Sequence, residues 1–193
     1  MARRTGSGET RREDILRAAY DVAARLGVEA LTVRAVAARA AVSHGTVLFH
    51  FRRRDELVAA LLDRVLDATA NLPSNDAASA SAGIERLNTL LRGEMERLSA
   101  EPRHFRLFLE YWTLGVRTPA IRRRVSAALD RYRHALEAVA EPLVNAEGIA
   151  AVAVSLIHGC ALQAVIDPKG FDVQQHFAAA GRMLDRFAPP RAD

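Results

Sequence analysis

The chain has 193 residues, of which 50% are hydrophobic and 26% charged, so it is long enough for a substantial core and has the composition of an ordinary soluble globular protein. Aromatic residues make up only 6% while Ala and Leu abound, which favours helices over sheets. The formal net charge of +4 is uneven, because residues 1–55 contain eleven Arg and six Asp or Glu. We therefore expect a polyanionic partner at the amino-terminal end and a near-neutral remainder.

Cysteine usage and hydropathy set further limits. Cys160 is the only cysteine, which excludes an intrachain disulfide and fits a reducing cytoplasm. No apolar segment follows the basic start of the chain, so we expect no signal peptide. The longest apolar run, 149–166, nearly has the length of a membrane span. Because Ser155, His158 and Gln163 interrupt it, the core helix of a soluble protein is the favoured interpretation.

Three helices are predicted in the first quarter of the chain. The first runs from about Glu9 to Leu26 and is ended by Gly27, with a core-facing stripe of Ile15, Leu16, Ala19, Val22, Ala23 and Leu26. Thr32 and Ser43 are predicted N-caps of two short helices, because their side-chain oxygens can accept the free amide hydrogens of a first turn. The residues expected to anchor these two helices are Val33, Val36, Ala37 and Ala40, then Val47 and Phe51.

The rest of the chain is predicted to be helical as well. A fourth helix should begin near Asp55 and run to about residue 70, with Val58, Leu61, Leu62 and Val65 buried. Composition predicts a loop over 71–82, and then five helices over about 83–99, 103–116, 119–141, 146–166 and 172–187. The predicted fold is an all-α, nine-helix bundle. Its domains are a helix-turn-helix domain over 1–54 and a larger domain over 55–193, connected by the fourth helix.

Two short capped helices joined by a tight turn predict a helix-turn-helix, which places its second helix in the DNA major groove. Gly45 has no side chain to hold the backbone away from a phosphate, and the polar residues around it lie where helix amides favour anions. Arg3 and Arg4 would form a minor-groove arm. Taken singly, any of these residues is as well explained as a solvated surface group. The candidate DNA-binding residues are Thr32, Arg34, Ser43, His44, Gly45, Thr46, Leu48, Phe49, His50, Arg52, Arg53 and Arg54.

Three segments, 31–37, 42–51 and 54–57, resemble the TetR family of bacterial repressors. The family pattern has a Thr opening the second helix, Val-Ser-Xaa-Gly-Thr opening the third, an aromatic-rich end, and a Lys before the fourth. Leu48 stands where the family usually has a DNA-contacting Tyr, and Arg52-Arg53 replaces a Pro-Ser that usually caps the fourth helix. The resemblance implies a repressor role and DNA contacts by Thr32, Arg34, His44, Gly45, Thr46, Phe49, His50 and Arg54.

The carboxy-terminal helices indicate a dimer. The segment 112–168, through the aromatic end of the sixth helix and the Gly-Xaa-Xaa-Leu-Gln-Ala-Xaa-Xaa-Asp-Pro pattern at 159–168, resembles a branch of the same family that includes choline-responsive repressors, whose members' ligands are diverse. The eighth helix is apolar nearly all round, which predicts burial against its own domain on one side and a partner subunit on the other. We expect a two-fold homodimer in which the eighth and ninth helices of both subunits form a four-helix bundle. The ninth helix would contribute a face of Phe177, Ala180, Gly181 and Leu184.

A mostly apolar effector pocket is predicted between the fifth to eighth helices, to suit an apolar, aromatic or cationic molecule. Its candidate lining residues are Asn88, Met95, Phe105, Phe108, Trp112, Tyr132, His158 and Gln163. An equally weighted alternative is that Phe105, Phe108 and Trp112 are core residues and that His158 is a hydrogen-bonded core or interface histidine. Asn88 and Gln163 fit either interpretation.

Catalysis is the alternative from a different class, and the sequence gives it little support. The six His form no HxxxH pair, and there is no Cys cluster, Gly-rich phosphate loop or Gly-Xaa-Ser-Xaa-Gly motif. We expect no enzyme activity, metal or cofactor, with Glu110 and His158 the only pair worth testing as catalytic groups. A DNA-binding architectural protein without a ligand stays open. The favoured prediction is a cytoplasmic, dimeric, ligand-responsive repressor that binds a near-palindromic DNA operator.

Overall fold

A computed structural model describes residues 4–70, 83–141, 143, 145–184 and 186. Over these residues the protein is all-α, as predicted, and one unpredicted 3₁₀ turn, Val28–Ala30, follows the first helix. The loop predicted over 71–82, Arg3 and the side chain of Arg4 lie outside the described part. The helices are α1 (Arg4–Leu26), α2 (Val33–Arg39), α3 (His44–His50), α4 (Arg54–Ala70), α5 (Ile84–Ala100), α6 (Pro102–Arg117), α7 (Pro119–Ala140), α8 (Ala146–Ile166) and α9 (Val173–Leu184).

Packing divides the chain into two compact units. Unit 1 comprises Met1–Ala68 with Arg106–Val125, and unit 2 comprises Thr69–Phe105 with Ser126–Asp193. Most of α6 and the start of α7 therefore belong with the amino-terminal helices, although the chain reaches them only after α5. The domain boundary predicted after residue 54 stays a prediction, based on the motif rather than on packing.

The core of unit 1 follows the predicted α1 stripe except at its last member. Ile15 is fully buried, whereas Leu26 is 70% exposed. The prediction for Leu26 was wrong because Gly27 ends the helix with a φ of 88°, and the 3₁₀ turn that follows brings Val28 into the core instead, 2% exposed. Such a positive φ is a conformation that glycine adopts without strain.

Both predicted N-caps of the helix-turn-helix are confirmed. Thr32 Oγ1 accepts a hydrogen bond from the Ala35 amide at 3.1 Å, and Ser43 Oγ accepts one from the Thr46 amide at 3.0 Å. The turn between α2 and α3 places Ala41 at a φ of 53°, a left-handed conformation that costs an L-residue free energy. These local interactions fix where the two short helices begin and how they are joined.

The core of unit 2 is built from α5, the second part of α7, α8 and α9, with members that include Leu87, Leu91, Leu136, Ile149 and Ile157. The face of α9 that was predicted to meet a partner subunit packs inside the protomer instead. Ala180 and Leu184 are each 6% exposed, and the Phe177 ring lies 4.8 Å from the guanidinium carbon of Arg92 on α5. An inward-facing apolar stripe and a subunit interface give the same helical periodicity, but Ala180 and Leu184 are not available to a partner. The four-helix bundle of α8 and α9 from both subunits stays a prediction.

Candidate DNA-binding head and effector core

The helix α3 is held by one face and exposes the other. Val47 is fully buried and Phe51 is 2% exposed, so both anchor α3 to the core of unit 1 as predicted. At its start, the Ser43 and Thr46 hydroxyl oxygens lie 2.8 Å apart, in addition to the cap bond to the Thr46 amide. A rigidly anchored helix of this kind can present its remaining side chains to a groove in a fixed orientation.

The predicted DNA-contacting residues of α3 lie on its exposed side. Phe49 is 82% exposed and Leu48 37% exposed, so two adjacent apolar side chains of α3 lie in contact with water. The rings of Phe49 and His50 meet edge to face, with centroids 5.2 Å apart. Apolar side chains at this position can contact thymine methyl groups, and the ring nitrogens of His50 and of the exposed His44 can donate or accept hydrogen bonds.

Gly45 lies in the first turn of α3 with free space around it. A Cβ atom built there would meet only Ser43 Oγ, at 3.7 Å, which is an ordinary van der Waals contact. The protein itself therefore does not require a glycine at this position. The close approach of a DNA phosphate at Gly45 stays a prediction.

The arginines beside α3 differ in what they bind. Arg34 on α2 and both Arg52 and Arg53 before α4 are exposed, as a phosphate-binding strip requires. Glu56 Oε2 accepts the Arg52 amide hydrogen at 2.9 Å, which ties the segment before α4 to the first turn of that helix. Arg54 donates from Nε to the Leu31 carbonyl at 2.8 Å and from Nη2 to the Val28 carbonyl at 3.1 Å. Its guanidinium thus braces the turn before α2, and its DNA contact stays a prediction.

The residues of α6 that bind α1, the 3₁₀ turn and α4 were not identified from the sequence. Glu110 Oε2 accepts the amide hydrogen of Val28 at 2.7 Å, close to where a side chain on Gly27 would lie. The hydroxyl of the fully buried Tyr111 donates to the Val58 carbonyl of α4 at 3.0 Å, and Arg106 donates to the Ala24 carbonyl of α1. Glu110, which was paired with His158 from the sequence as a candidate catalytic group, therefore uses its carboxylate to cap the 3₁₀ turn.

The predicted effector residues fall into two groups. In unit 2, Met95, Phe105 and Tyr132 are members of one buried cluster, and the His158 ring lies 6.1 Å from that of Tyr132. Asn88 is half-buried on α5. Phe108 and Trp112 belong to unit 1, with ring centroids 5.4 Å apart. Gln163 is exposed and donates to the Gly159 carbonyl at 3.4 Å, so the structure does not bring it to the cluster.

A further polar residue in unit 2 was not predicted. Glu94 is 1% exposed; its Oε2 accepts a hydrogen bond from Arg97 Nη2 at 2.8 Å. Its Oε1 is buried without a hydrogen bond of good geometry among the described residues, and so is the Tyr132 hydroxyl, which interacts with the Glu94 carboxylate and, against the effect of burial, lowers its pKa. The position was recognisable, because Glu94 continues the apolar stripe of Leu87, Leu90 and Leu91 at helical spacing. We call Glu94, Met95, Phe105, Tyr132 and His158 the effector core.

Burial disfavours the charged forms of the titratable groups in the effector core. It lowers the pKa of His158 to about 4, because the imidazolium would lose its hydration there. Burial also raises the pKa of Glu94, an effect that the neighbouring Arg97 guanidinium opposes. At neutral pH the His158 imidazole is therefore uncharged. Within the described residues no group of three or more His, Cys, Asp or Glu could hold a metal ion.

The outer side of α8 is apolar and exposed. Val152 is 59%, Leu162 49% and Ile166 75% exposed, and Met183 on α9 is 65% exposed. Among the described helices α8 alone is long and apolar enough to cross a membrane, and 44% of that stretch is buried inside the protein. The inner side of α8 is part of the core of unit 2 and includes Ile149, Ala153 and Ile157.

An all-α fold with a capped helix-turn-helix, an exposed third helix and a basic border defines a DNA-binding regulator. The family model for tetR-family bacterial regulatory proteins matches residues 15–61, and the model for the BetI-type transcriptional repressor C-terminal domain matches residues 83–189. This chain belongs to the TetR family of bacterial transcriptional regulators and has a BetI-type C-terminal domain. Regulators of this family bind DNA, dimerise and bind small molecules, and they are not enzymes.

Similar proteins support the same family along almost the whole chain. The transcriptional regulator BetI of Burkholderia thailandensis is 26% identical over 191 residues, covering 97% of this chain and 98% of that protein. A transcriptional regulator from Rhodococcus sp. Rha1 superimposes with a TM-score of 0.77 at 26% identity, covering 91% of this chain and 95% of its own. The multidrug binding protein EbrR in complex with ethidium gives a TM-score of 0.70 at 26% identity, covering 92% and 98%.

Proposed function

We propose that this regulator is a cytoplasmic repressor that binds a near-palindromic operator as a homodimer and is released by a small molecule. The observation that carries the proposal is the exposure of Phe49, at 82%, on a helix whose opposite side chain, Val47, is fully buried. A large apolar ring held out in water by a capped, anchored helix is expected to gain free energy when a partner covers it. Because Arg34, Arg52 and Arg53 lie exposed beside it, we expect that partner to be DNA.

The outer side of α8 supports a dimer interface. The exposed apolar residues available there to a second copy are Val152, Leu162 and Ile166 of α8 and Met183 of α9. We favour a partner subunit over lipid because the inner side of α8 is already packed against protein, whereas a lipid-exposed span would be apolar to all sides. Two copies related by a two-fold axis would place two α3 helices on half-sites one DNA turn apart, about 34–36 Å, or more.

The effector core supports a small, largely apolar effector that carries a hydrogen-bond donor or a positive charge. Its side chains include the Phe105 and Tyr132 rings and the neutral His158 imidazole. Within the described part of the chain, Glu94 Oε1 and the Tyr132 hydroxyl are both buried without a hydrogen bond of good geometry, although the two side chains are close enough to shift each other's pKa, so a donor on the ligand could bind between them. A ligand can release the operator only if it binds the two arrangements of the regulator unequally, so the effector must favour the arrangement whose α3 helices no longer match the half-sites.

The test is a mobility shift on the DNA immediately upstream of the protein's own gene, at two salt concentrations. Arg34→Ala removes an exposed guanidinium beside α3, and Phe49→Ala removes the exposed ring. Arg123→Ala is the matched control, because Arg123 is an exposed arginine on α7, distant along the chain from α3. We expect a salt-sensitive shift that is weakened about tenfold or more by the first two substitutions and is unchanged by the third.

The outcomes test the DNA-binding role of α3 separately from the role of the effector core. Equal weakening of binding by Arg34→Ala and Arg123→Ala would mean that the chain binds DNA through net charge alone, against the proposed role of α3. A shift that Phe49→Ala leaves intact would assign the exposed ring to another partner. Release of the shifted DNA by a hydrophobic cation, lost in Glu94→Gln, would support the effector core as the site of control.

A further inference from the structure

A cavity of about 280 Å³, partly open to solvent, lies within unit 1, whereas every member of the effector core belongs to unit 2. It is bounded by the 3₁₀ turn, the first turns of α4, the end of α6 and the start of α7. Its apolar wall consists of Val28, Val58, Ala59, Leu114, Ala120 and Ile121. Polar or charged residues lie among its remaining contacts: Glu29, Arg54, Asp55, Thr118 and Arg124.

Hydrogen bonds hold the boundary of this cavity on each side. Glu110 binds the amide of Val28 at 2.7 Å, and Arg54 binds the carbonyl of the same residue at 3.1 Å. The α6–α7 corner is closed by the Thr118 amide on the Leu114 carbonyl at 2.8 Å. A cavity bounded in this way is expected to be preformed, so that a ligand would not have to order its wall.

The cations at the cavity already have protein partners. The Arg54 guanidinium binds backbone carbonyls, and Arg124 pairs with the Asp63 carboxylate of α4. The acidic residues Glu29 and Asp55 are exposed and remain hydrated. A charged molecule would therefore give up its own hydration for an apolar wall, whereas an uncharged apolar molecule would not.

The size of the cavity limits the molecule that fits. An apolar cavity of roughly 150 Å³ inside a protein stays dry and holds one benzene molecule. A volume of about 280 Å³ is nearly twice that, which suits a bicyclic ring system. We propose that this cavity is a second small-molecule site, for an uncharged bicyclic aromatic molecule, whose occupation fastens α4 to the α6–α7 corner within unit 1.

Indole is a suitable probe because it is bicyclic, uncharged and soluble, and its binding to the full chain can be followed by calorimetry and by the melting temperature. Ala59→Leu and Ala120→Leu each add side-chain volume to the cavity wall. Ala127→Leu is the matched control, since Ala127 is exposed on α7 and does not line the cavity. Having two filling variants on different helices keeps the test valid if one of them folds poorly.

We expect one indole to bind each wild-type and Ala127→Leu chain, and its affinity to fall at least tenfold in both filling variants that remain helical. Tryptamine and indole-3-acetate, which carry a charge on the same ring system, should bind at least tenfold more weakly than indole. Failure of wild type to bind indole at millimolar concentration overturns the proposal. Equal binding by the wild type and the filling variants also overturns it, because the probe would then occupy another site.

Discussion

Gly45→Ala separates the needs of the fold from the needs of DNA binding at one position. The substituted Cβ would meet only Ser43 Oγ at 3.7 Å, so the protein accommodates it. Alanine in a helix is more favourable than glycine by roughly 0.5–1 kcal/mol, and the first turn lies at the lower end of that range. For a chain of this length such a gain raises the melting temperature by about 1–3 °C.

The same substitution should weaken operator binding. The added methyl group stands at the exposed start of α3, where the amides of a helix N-terminus would face a DNA phosphate. Displacing one such contact costs about 1.4 kcal/mol, a tenfold loss of affinity. Fluorescence anisotropy with a labelled operator measures this loss, while thermal unfolding monitored by circular dichroism measures the gain in stability.

Gly8→Ala is the matched control for helix propensity. Gly8 is also helical and has no heavy atom within 4 Å of the position of a Cβ, so it should raise the melting temperature without affecting operator binding. A stable Gly45→Ala protein that binds the operator as tightly as wild type would refute the inference that α3 approaches DNA through its first turn. A fall in stability would refute the statement that the fold leaves the position open.

Three further outcomes follow from the structure. Ala41→Gly relieves the left-handed backbone at φ 53° and should raise the free energy of unfolding by about 0.5 kcal/mol in thermal unfolding; a lower melting temperature would contradict the strain. Tyr111→Phe removes the bond to the Val58 carbonyl and should cost about 1 kcal/mol in urea unfolding, and no cost would mean that the bond adds nothing. Because the pKa of His158 is lowered to about 4 from an unfolded value near 6.5, its contribution to stability is complete above pH 6.5 and is lost as the pH falls towards 4. Wild type should therefore lose about 2 kcal/mol more than His158→Gln between pH 7 and pH 5, and parallel pH profiles of the two proteins would exclude this.

The parts of the fold that were predicted from the sequence depend on short-range physics. The caps by Thr32 and Ser43 follow from side chains that bond amides three residues ahead. The stop at Gly27 follows from the positive φ that glycine adopts freely. The burial of Val47 and Phe51 follows from their spacing on a single helix turn. Each of these needs only neighbouring residues to be specified.

What the sequence did not predict depends on contacts between distant segments. Glu110 caps a turn 82 residues earlier in the chain, and helical periodicity contains no information about such a partner. The positive φ of Gly27, which lies between Leu26 and Val28, turns the backbone so that Val28 rather than Leu26 enters the core. Ala180 and Leu184 of α9 were assigned to a subunit interface, because the sequence of one chain does not show whether an apolar helix face is buried by the same chain or by a partner. Glu94 was overlooked although its place on an apolar stripe marked it as buried.

The measurement that tests the central claim most directly is a footprint of the purified protein on the DNA upstream of its own gene. A dimer that uses two α3 helices predicts two protected half-sites related by near-palindromic sequence, with centres about 10 base pairs or more apart on the DNA. Phe49→Ala should lose both protections together, because the two helices are copies of one another. A single asymmetric protection, or a pair that survives this substitution, would contradict the account.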